Sequence, residues 1–163
     1  MNTKFFSANN IAIDTGPLFI HAVGVFDCRK LQDVCLCSEP DEEFEFLDKL
    51  FISRKTFYIT PYILSELFYQ IRKLFKLDDK KTEEFFNIYG EFLKKIGEIQ
   101  VEKEKIITHE KIKFGLADIS LILANKERRS LIFSSDGAFC KLCEHEKIEF
   151  IDYRSFFWNR SIM

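Results

Sequence analysis

Residues 115–139 read GLADISLILANKERRSLIFSSDGAF, and they carry the clearest indication of how the chain folds. A helical pattern over about 105–128, with Gly115 as a weak point in its middle, is followed by an apolar run at 131–133 that is typical of a buried strand. Another short helix is predicted over 137–146. Strands separated by helices imply right-handed crossovers and a parallel sheet that helices cover on both faces.

The same alternation extends along the rest of the chain. Short apolar runs predict further strands, and longer amphipathic patterns between them predict helices. The predicted strands are 11–13, 56–59, 99–101 and 148–151, and the predicted helices are 17–26, 41–52, 61–75 and 79–96. Residues 27–41 mix Cys, Ser and Pro and predict a loop with one helical turn. We therefore expect an α/β fold, a three-layer α/β/α sandwich around a central parallel sheet of about five short strands.

The length of 163 residues fits a single domain over 1–163, with a core at about 10–153 and a short C-terminal tail. The 24 Lys and Arg against 26 Asp and Glu argue against a polycation that binds nucleic acid along its whole surface. No run approaches the ~20 apolar residues of a membrane span, and residues 1–10 lack the apolar core of a secretory signal. A cytoplasmic protein without a membrane partner is therefore expected.

Five cysteines without a secretory signal point to a reducing compartment and free thiols. Cys35, Cys37, Cys140 and Cys143 are enough thiolates for one zinc ion. However, the two pairs lie about 100 residues apart, and the first pair has a single intervening residue instead of the usual two to four. Small buried apolar side chains are the simpler interpretation of these cysteines.

Two aspartates follow predicted strands directly. Asp14 comes after the run 11–13, and Asp136 comes after the run 131–133 and two serines. Ligands of open parallel sheets bind beyond the carboxyl ends of the strands, so both positions suit a functional site. Both aspartates also precede predicted helices, and an N-cap role explains each of them equally well.

Two further carboxylates lie within predicted helices. Asp118 is the single ionisable side chain in the stretch 116–124, which predicts a buried helix. An ionised carboxylate there needs either a basic partner or a metal ion, because burial of an unpaired charge is costly. Glu66 lies away from the apolar stripe of its predicted helix, and alone it would be interpreted as a surface charge.

Four segments taken together resemble the PIN-domain nucleases, which include the VapC-type toxins of toxin–antitoxin pairs. They are IAIDT at 11–15, ITPYILSEL at 59–67, GLADISLILA at 115–124 and LIFSSDGAF at 131–139. The resemblance extends from residue 10 to about 153, and it depends on all four short motifs occurring in order. It implies that Asp14, Glu66, Asp118 and Asp136 are the catalytic and metal-binding residues, with Thr15 and Ser134 as supporting hydroxyls.

The chain also departs from the pattern of that family. Ser134 stands where the family usually has Thr, and the segment 27–40 and the tail after Tyr153 make the chain longer than a compact toxin. These departures bear on the toxin assignment more than on the nuclease assignment.

Clustered carboxylates repel one another unless they are protonated or bridged by cations, and hard oxygen ligands favour Mg²⁺ or Mn²⁺. Such an ion lowers the pKa of an attacking water and neutralises charge on a phosphate. The resemblance implies hydrolysis of RNA to products with a 5′-phosphate, and it adds an antitoxin protein and a homodimer to the expected partners. The candidate phosphate-binding residues are Arg72 and Lys73, then Lys76, Arg128 and Arg129.

Parts of the sequence are also compatible with three other function classes. A PIN-like fold that binds RNA or protein without turnover is the main alternative, although such a scaffold has no need of Asp118. Asp14-Thr15-Gly16 resembles the aspartic-protease signature, but the helix-rich pattern and Pro17 oppose that fold. A nucleotide-binding role is disfavoured because no phosphate loop of the type GxxxxGK[ST] occurs.

Overall fold

Strands and helices alternate along the whole computed structural model, which describes residue 5 and residues 7–158, with only the backbone of 157 and 158. The strands are β1 Asn10–Ile13, β2 Thr56–Ile59, β3 Gly97–Glu98, β4 Leu131–Ser134 and β5 Phe150–Asp152. The helices are α1 Thr15–Asp27, α2 Pro40–Phe51, α3 Pro61–Phe75, α4 Asp79–Leu93, α5 Lys103–Ile107, α6 Leu116–Arg128, α7 Gly137–His145 and α8 Ser155–Trp158. Two 3₁₀ turns, Cys28–Asp33 and Ile112–Phe114, complete the described elements.

The five strands form one parallel sheet in the order β3-β2-β1-β4-β5. Strand β1 lies at the centre, and its Ile11 pairs with Phe57 of β2 on one side and with Leu131 of β4 on the other. The chain adds β2 and β3 on one side of β1 and then returns to the other side for β4 and β5. The α/β class and the five-stranded parallel sheet are thus as predicted, and the strand order reverses between β1 and β4.

The central strands are buried on both faces because helices cover the sheet on its two sides. Ile11, Ala12 and Ile13 of β1 are buried, and so is every residue of β4. Helix α3 begins as the sequence predicts, with Thr60 as N-cap and Pro61 in the first turn. No helix among the described residues is long and apolar enough to span a bilayer.

The predicted long helix over 105–128 is wrong, because the chain leaves helical geometry in its middle. Gly115 has a φ of +117°, a conformation that side chains with a Cβ rarely adopt, and it separates the turn Ile112–Phe114 from α6. Asp118 therefore lies in the first turn of α6 and is half-buried, where the sequence predicted a position inside a buried helix. The short strands are also displaced, since β3 ends before residue 99 and β5 begins at Phe150.

The predicted loop over 27–41 contains the expected helical turn, which is the 3₁₀ turn Cys28–Asp33. Other predictions along the chain need smaller corrections. The apolar pattern predicts a buried stripe on α3 that includes Leu64 and Phe68, but these two side chains are half-buried. The fully buried face of α3 consists of Ile63, Leu67 and Ile71. This rotation turns the side of α3 that carries Glu66 toward the carboxyl end of the sheet. The last part of the predicted C-terminal tail, from residue 159, lies outside the described residues.

All five cysteines are free thiols; Cys28 is exposed, and the other four lie in two separate segments. Cys140 and Cys143 are buried in α7, and Cys35 and Cys37 are half-buried in the segment before α2. Burial raises the pKa of both α7 thiols to about 12. Neutral thiols of this kind fill space as small apolar side chains do.

An aromatic cluster joins α1, α2 and α4 on one face of the sheet. Its centre is His21, which is buried and whose ring packs edge-on against Phe51 at a centroid distance of 4.8 Å. His21 Nδ1 lies 2.9 Å from the hydroxyl of the fully buried Tyr89, and Nε2 lies 3.4 Å from Asp48 Oδ1. Burial lowers the pKa of the imidazole to about 4, so His21 is neutral at neutral pH.

Candidate active site

Asp14 occupies the end of the central strand and is held there by two hydrogen bonds. Its Oδ1 accepts a hydrogen bond of 2.6 Å from the Thr15 amide, and its Oδ2 accepts one from the Ser134 hydroxyl at the end of the neighbouring strand β4. The residue caps α1 and is only 6% exposed. Asp14 is thus both an N-cap and a buried carboxylate. It lies where the strand order reverses, which is the position at which such sheets usually bind ligands.

Glu66 is hydrogen-bonded to Thr15, the residue that follows Asp14. The Thr15 hydroxyl donates a hydrogen bond of 3.2 Å to Glu66 Oε2, and Gln70 Nε2 donates one of 3.2 Å to Oε1. These contacts bring a half-buried carboxylate of α3 next to the end of β1. The surface-charge interpretation of Glu66 therefore does not describe its surroundings.

Asp136 continues the arrangement on the other side of Asp14. Its amide donates a hydrogen bond of 3.0 Å to Ser134 Oγ, the same hydroxyl that donates to Asp14. Its Oδ1 accepts hydrogen bonds from the amides of Ala138 and Phe139, so Asp136 is the N-cap of α7. The side chain is exposed, and among the described residues no hydrogen bond involves its Oδ2.

Asp118 faces the same region from the first turn of α6. Ser120, two residues further along, ties this helix to the start of α3, because its hydroxyl lies 2.6 Å from Thr60 Oγ1. Within the described part of the chain, no hydrogen bond or ion pair involves the Asp118 carboxylate. The alternative of a structural salt bridge to a basic residue therefore has no support in these residues.

All four carboxylates line one open cleft of about 820 Å³ at the carboxyl end of the sheet. Thr15 lines it as well, whereas Ser134 lies behind it against Asp14. The remaining lining residues are Gly16, Tyr62, Ser65, Tyr69, Gln70, Phe114, Gly115, Leu116, Ala117 and Ser135. Across the described residues, neither Lys nor Arg contributes to this lining, so the cleft combines four acidic groups with no side-chain cation.

Two of the carboxyl groups are difficult to ionise as a result. Burial raises the pKa of the Asp118 carboxyl to about 8, and the negative charges of Asp14, Asp136 and Glu66 add to the effect. Burial also raises the pKa of the Asp14 carboxyl to about 6, against the opposing effect of its hydrogen bonds from Ser134 and the Thr15 amide. The cleft thus favours protons or cations at neutral pH.

These shifts predict how stability depends on pH in the absence of divalent ions. A carboxyl group with a raised pKa contributes stability that is fully present below its ordinary pKa of 3.8 and is lost as the pH rises through about 6 for Asp14 and about 8 for Asp118. The melting temperature in EDTA should therefore fall between pH 6.5 and 8.5. His21 has the opposite sign, because its pKa is lowered from 6.5 to about 4, and its contribution changes mainly between these two values, below the range of this measurement.

The variant Asp118→Asn isolates this effect because it cannot ionise at that position. Its melting temperature should stay nearly constant over the same pH range, and the two curves should separate most at the alkaline end. Parallel curves for the wild type and the variant would contradict the assigned pKa of Asp118. Thermal melts followed by circular dichroism provide the measurement.

The donor chemistry of the cleft suits a hard divalent cation. No set of three or more His, Cys, Asp or Glu side chains in the described residues is arranged to hold a metal ion by itself. However, Mg²⁺ usually keeps several waters and binds through one or two carboxylates, so a complete protein cage is not required. Asp118, which lacks a described partner, and the buried Asp14 are the carboxylates best placed to serve as such ligands.

The predicted phosphate-binding residues lie outside the cleft lining. Arg72 and Lys73 are exposed on α3, and Arg72 packs over the Phe68 ring at 5.9 Å. Lys73 borders a neighbouring apolar groove that shares Gln70 with the cleft. Arg129 contributes to a depression with Asn10 and Leu131 at the opposite, amino end of the strands, so it is too distant to contact a phosphate in the cleft.

The sequence interpretation missed a cation beside the acidic site. Arg154 Nε donates a hydrogen bond of 2.8 Å to Asp152 Oδ1 at the end of β5, and a Cβ on Gly137 would lie 2.7 Å from the Arg154 guanidinium. The guanidinium therefore lies against the first turn of α7, directly after Asp136. Asp152 directly follows the predicted strand 148–151, so the argument from strand ends that selected Asp14 and Asp136 applies to Asp152 equally.

Comparisons with known proteins do not assign a function. No family model matches the sequence, and no curated protein matches it. Among solved structures, a domain of a functionally unknown protein from Methanocaldococcus jannaschii DSM 2661 is similar with a TM-score of 0.43 and 18% sequence identity, over 88% of this chain and 90% of that chain.

Proposed function

We propose that this protein is a ribonuclease that hydrolyses RNA phosphodiester bonds with the help of Mg²⁺ or Mn²⁺. The observation that carries the proposal is the cleft itself, which Asp14, Glu66, Asp118 and Asp136 line together and which no described Lys or Arg lines. Such a cluster lowers the stability of the metal-free protein, because like charges repel and three of the four groups are partly or wholly buried. A bound divalent cation would offset this loss of stability. The four motifs that resemble PIN-domain nucleases favour a role of this cation in RNA hydrolysis.

The side chains around the carboxylates would orient them for this role. The Ser134 hydroxyl holds Asp14, and the Thr15 hydroxyl and the Gln70 amide hold the two oxygens of Glu66. Asp118 has no such contact among the described residues, so it is free to turn toward an ion or a substrate water. When bound, the divalent ion would lower the pKa of a water molecule and neutralise charge on the scissile phosphate.

Metal-dependent cleavage of a mixed RNA pool tests the proposal directly. The wild type should cleave in Mg²⁺ or Mn²⁺, should be inactive in EDTA, and should leave products with a 5′-phosphate. Glu83→Gln is a matched control, because Glu83 is exposed on α4 and outside the cleft lining. RNA binding without cleavage in any divalent ion would instead favour the non-catalytic scaffold.

Divalent ions should also stabilise the folded protein. An ion present at a hundredfold excess over its dissociation constant contributes about 2.7 kcal/mol, or an increase of about 5–11 °C in melting temperature for a domain of this size. Mn²⁺ should raise the melting temperature of the wild type and of Glu83→Gln equally, and that of Asp118→Asn much less. An equal increase in all three proteins would place the ion elsewhere.

A further inference from the structure

Aromatic and apolar side chains line the acidic cleft, and two of them are exposed. Tyr69 is 66% exposed, and Leu116 is 49% exposed. The half-buried Tyr62 and Phe114 line the same cleft. The exposed ring of Tyr69 and the half-buried rings of Tyr62 and Phe114 provide flat contact surfaces beside the carboxylate cluster. Outside the lining, Lys113 Nζ lies 5.7 Å from the centroid of the Phe114 ring.

The helix period places two of these rings and one acidic group on a single face of α3. Tyr62, Glu66 and Tyr69 follow one another at spacings of about one turn, and each of them lines the cleft. The opposite face carries the buried Ile63, Leu67 and Ile71. Phe114 and Leu116 come from the separate segment around Gly115, so the rings belong to two different walls of the cleft.

The charge of the cleft restricts how it can hold a nucleic acid. Phosphates are usually bound by Lys and Arg, and none of these lines the described cleft. The carboxylates repel phosphates unless an ion lies between them. Contacts to the bases are therefore needed, and stacking of a base on an aromatic side chain is worth about 1–3 kcal/mol.

We propose that Tyr69, with Phe114 on the other wall, forms a subsite in which an unpaired nucleobase next to the scissile phosphate stacks. This inference rests on the proposed function and specifies its substrate as a single strand. Bases within a duplex are stacked on each other, so they cannot enter between the two walls. Tyr69 is then a specificity-determining residue of the cleft, and the phenol ring matters more than its hydroxyl.

Cleavage kinetics on short single-stranded RNA provide the first test. Tyr69→Ala should lose about 5- to 150-fold in kcat/KM, mostly through KM, because stacking holds the substrate in the ground state as well. Tyr69→Phe should behave as the wild type. Ile88→Ala, which removes an exposed apolar side chain of α4 outside the cleft, is the matched control and should have no effect. Unchanged melting temperatures establish that all three variants fold.

Substrates that lack one base separate stacking from a purely structural effect. An RNA with an abasic nucleotide at the stacked position should be cleaved equally by the wild type and Tyr69→Ala, and a duplex should be a poor substrate for both. If Tyr69→Ala cleaves normal RNA as the wild type does, the subsite is overturned while the nuclease function stands. If the wild type cleaves no RNA, the nuclease function fails. Fluorescence anisotropy with labelled single-stranded RNA in Mg²⁺ then tests the subsite separately. Equal affinities of the wild type and Tyr69→Ala for this RNA would overturn the subsite.

Discussion

Asp118→Asn is expected to lower RNA cleavage by a factor of about 100 or more, while the metal-free protein stays as stable as the wild type or becomes more stable. The substitution keeps the shape of the side chain and its ability to hydrogen-bond. It removes one negative charge and a strong oxygen ligand. Activity and stability therefore respond in opposite directions at this one position.

The stability part of this expectation follows from the surroundings of the carboxylate. Burial and the charges of three other acidic groups raise the pKa of Asp118 to about 8, so its ionised form is disfavoured in the folded state. The amide of Asn carries no charge and relieves this repulsion. Functional sites often retain such unfavourable groups, and their removal then increases stability at the expense of activity.

Melts in EDTA and cleavage assays on the same preparations test both parts. Glu83→Gln removes a charge from an exposed position of α4 and should leave both properties unchanged. If Asp118 were instead the partner of a buried cation, its substitution would strand that cation and cost about 3–5 kcal/mol. A drop of that size in EDTA, with normal cleavage per folded molecule, would overturn the assignment of Asp118.

The sequence was sufficient to predict the fold class and two of the four acidic positions. Apolar runs too short for helices alternate with amphipathic patterns, and this alternation requires a parallel sheet. Asp14 and Asp136 come after the ends of two such runs, and this position predicts that both lie at the carboxyl end of the sheet. Their meeting point depends on the strand order, because β1 and β4 become neighbours only when the chain crosses back over the sheet.

The helical positions were harder to predict, because periodicity does not show where a helix begins. The apolar pattern continues through Gly115, but the positive φ of that residue ends one element and starts another. Asp118 consequently lies at an open helix start and is half-buried. For Glu66, periodicity indicated only that the side chain lies on a helix face away from the core. The hydrogen bond from Thr15, 51 residues away in sequence, places this face beside the end of β1.

Contacts between distant segments also explain what was missed. Arg154 follows a predicted strand, but only the packing of β5 beside β4 brings its guanidinium to the start of α7. The pairing of His21 with Tyr89 spans 68 residues and joins α1 to α4. No local pattern contains these pairs, because each side chain alone is compatible with many neighbours.

Tyr89→Ala is expected to be the most damaging substitution outside the cleft, at about 3–5 kcal/mol of unfolding free energy. Tyr89 is fully buried, and its ring packs against Phe92 at 4.9 Å and Phe85 at 5.6 Å between centroids. Truncation leaves a cavity there and also removes the hydroxyl 2.9 Å from His21 Nδ1. The melting temperature should fall by about 6–20 °C for a domain of this size.

Two further variants divide this loss into its parts. Tyr89→Phe keeps the ring and leaves the buried His21 nitrogen without its partner, which should cost about 1–3 kcal/mol. Ile88→Ala, at the neighbouring exposed position, should change stability by no more than about 0.5 kcal/mol. Because the cavity adds to the lost hydrogen bond, the order of stability should be Ile88→Ala above Tyr89→Phe above Tyr89→Ala in thermal melts. If Tyr89→Phe were as unstable as Tyr89→Ala, the hydrogen bond to His21, and not the packing of the ring, would hold α4 against α1.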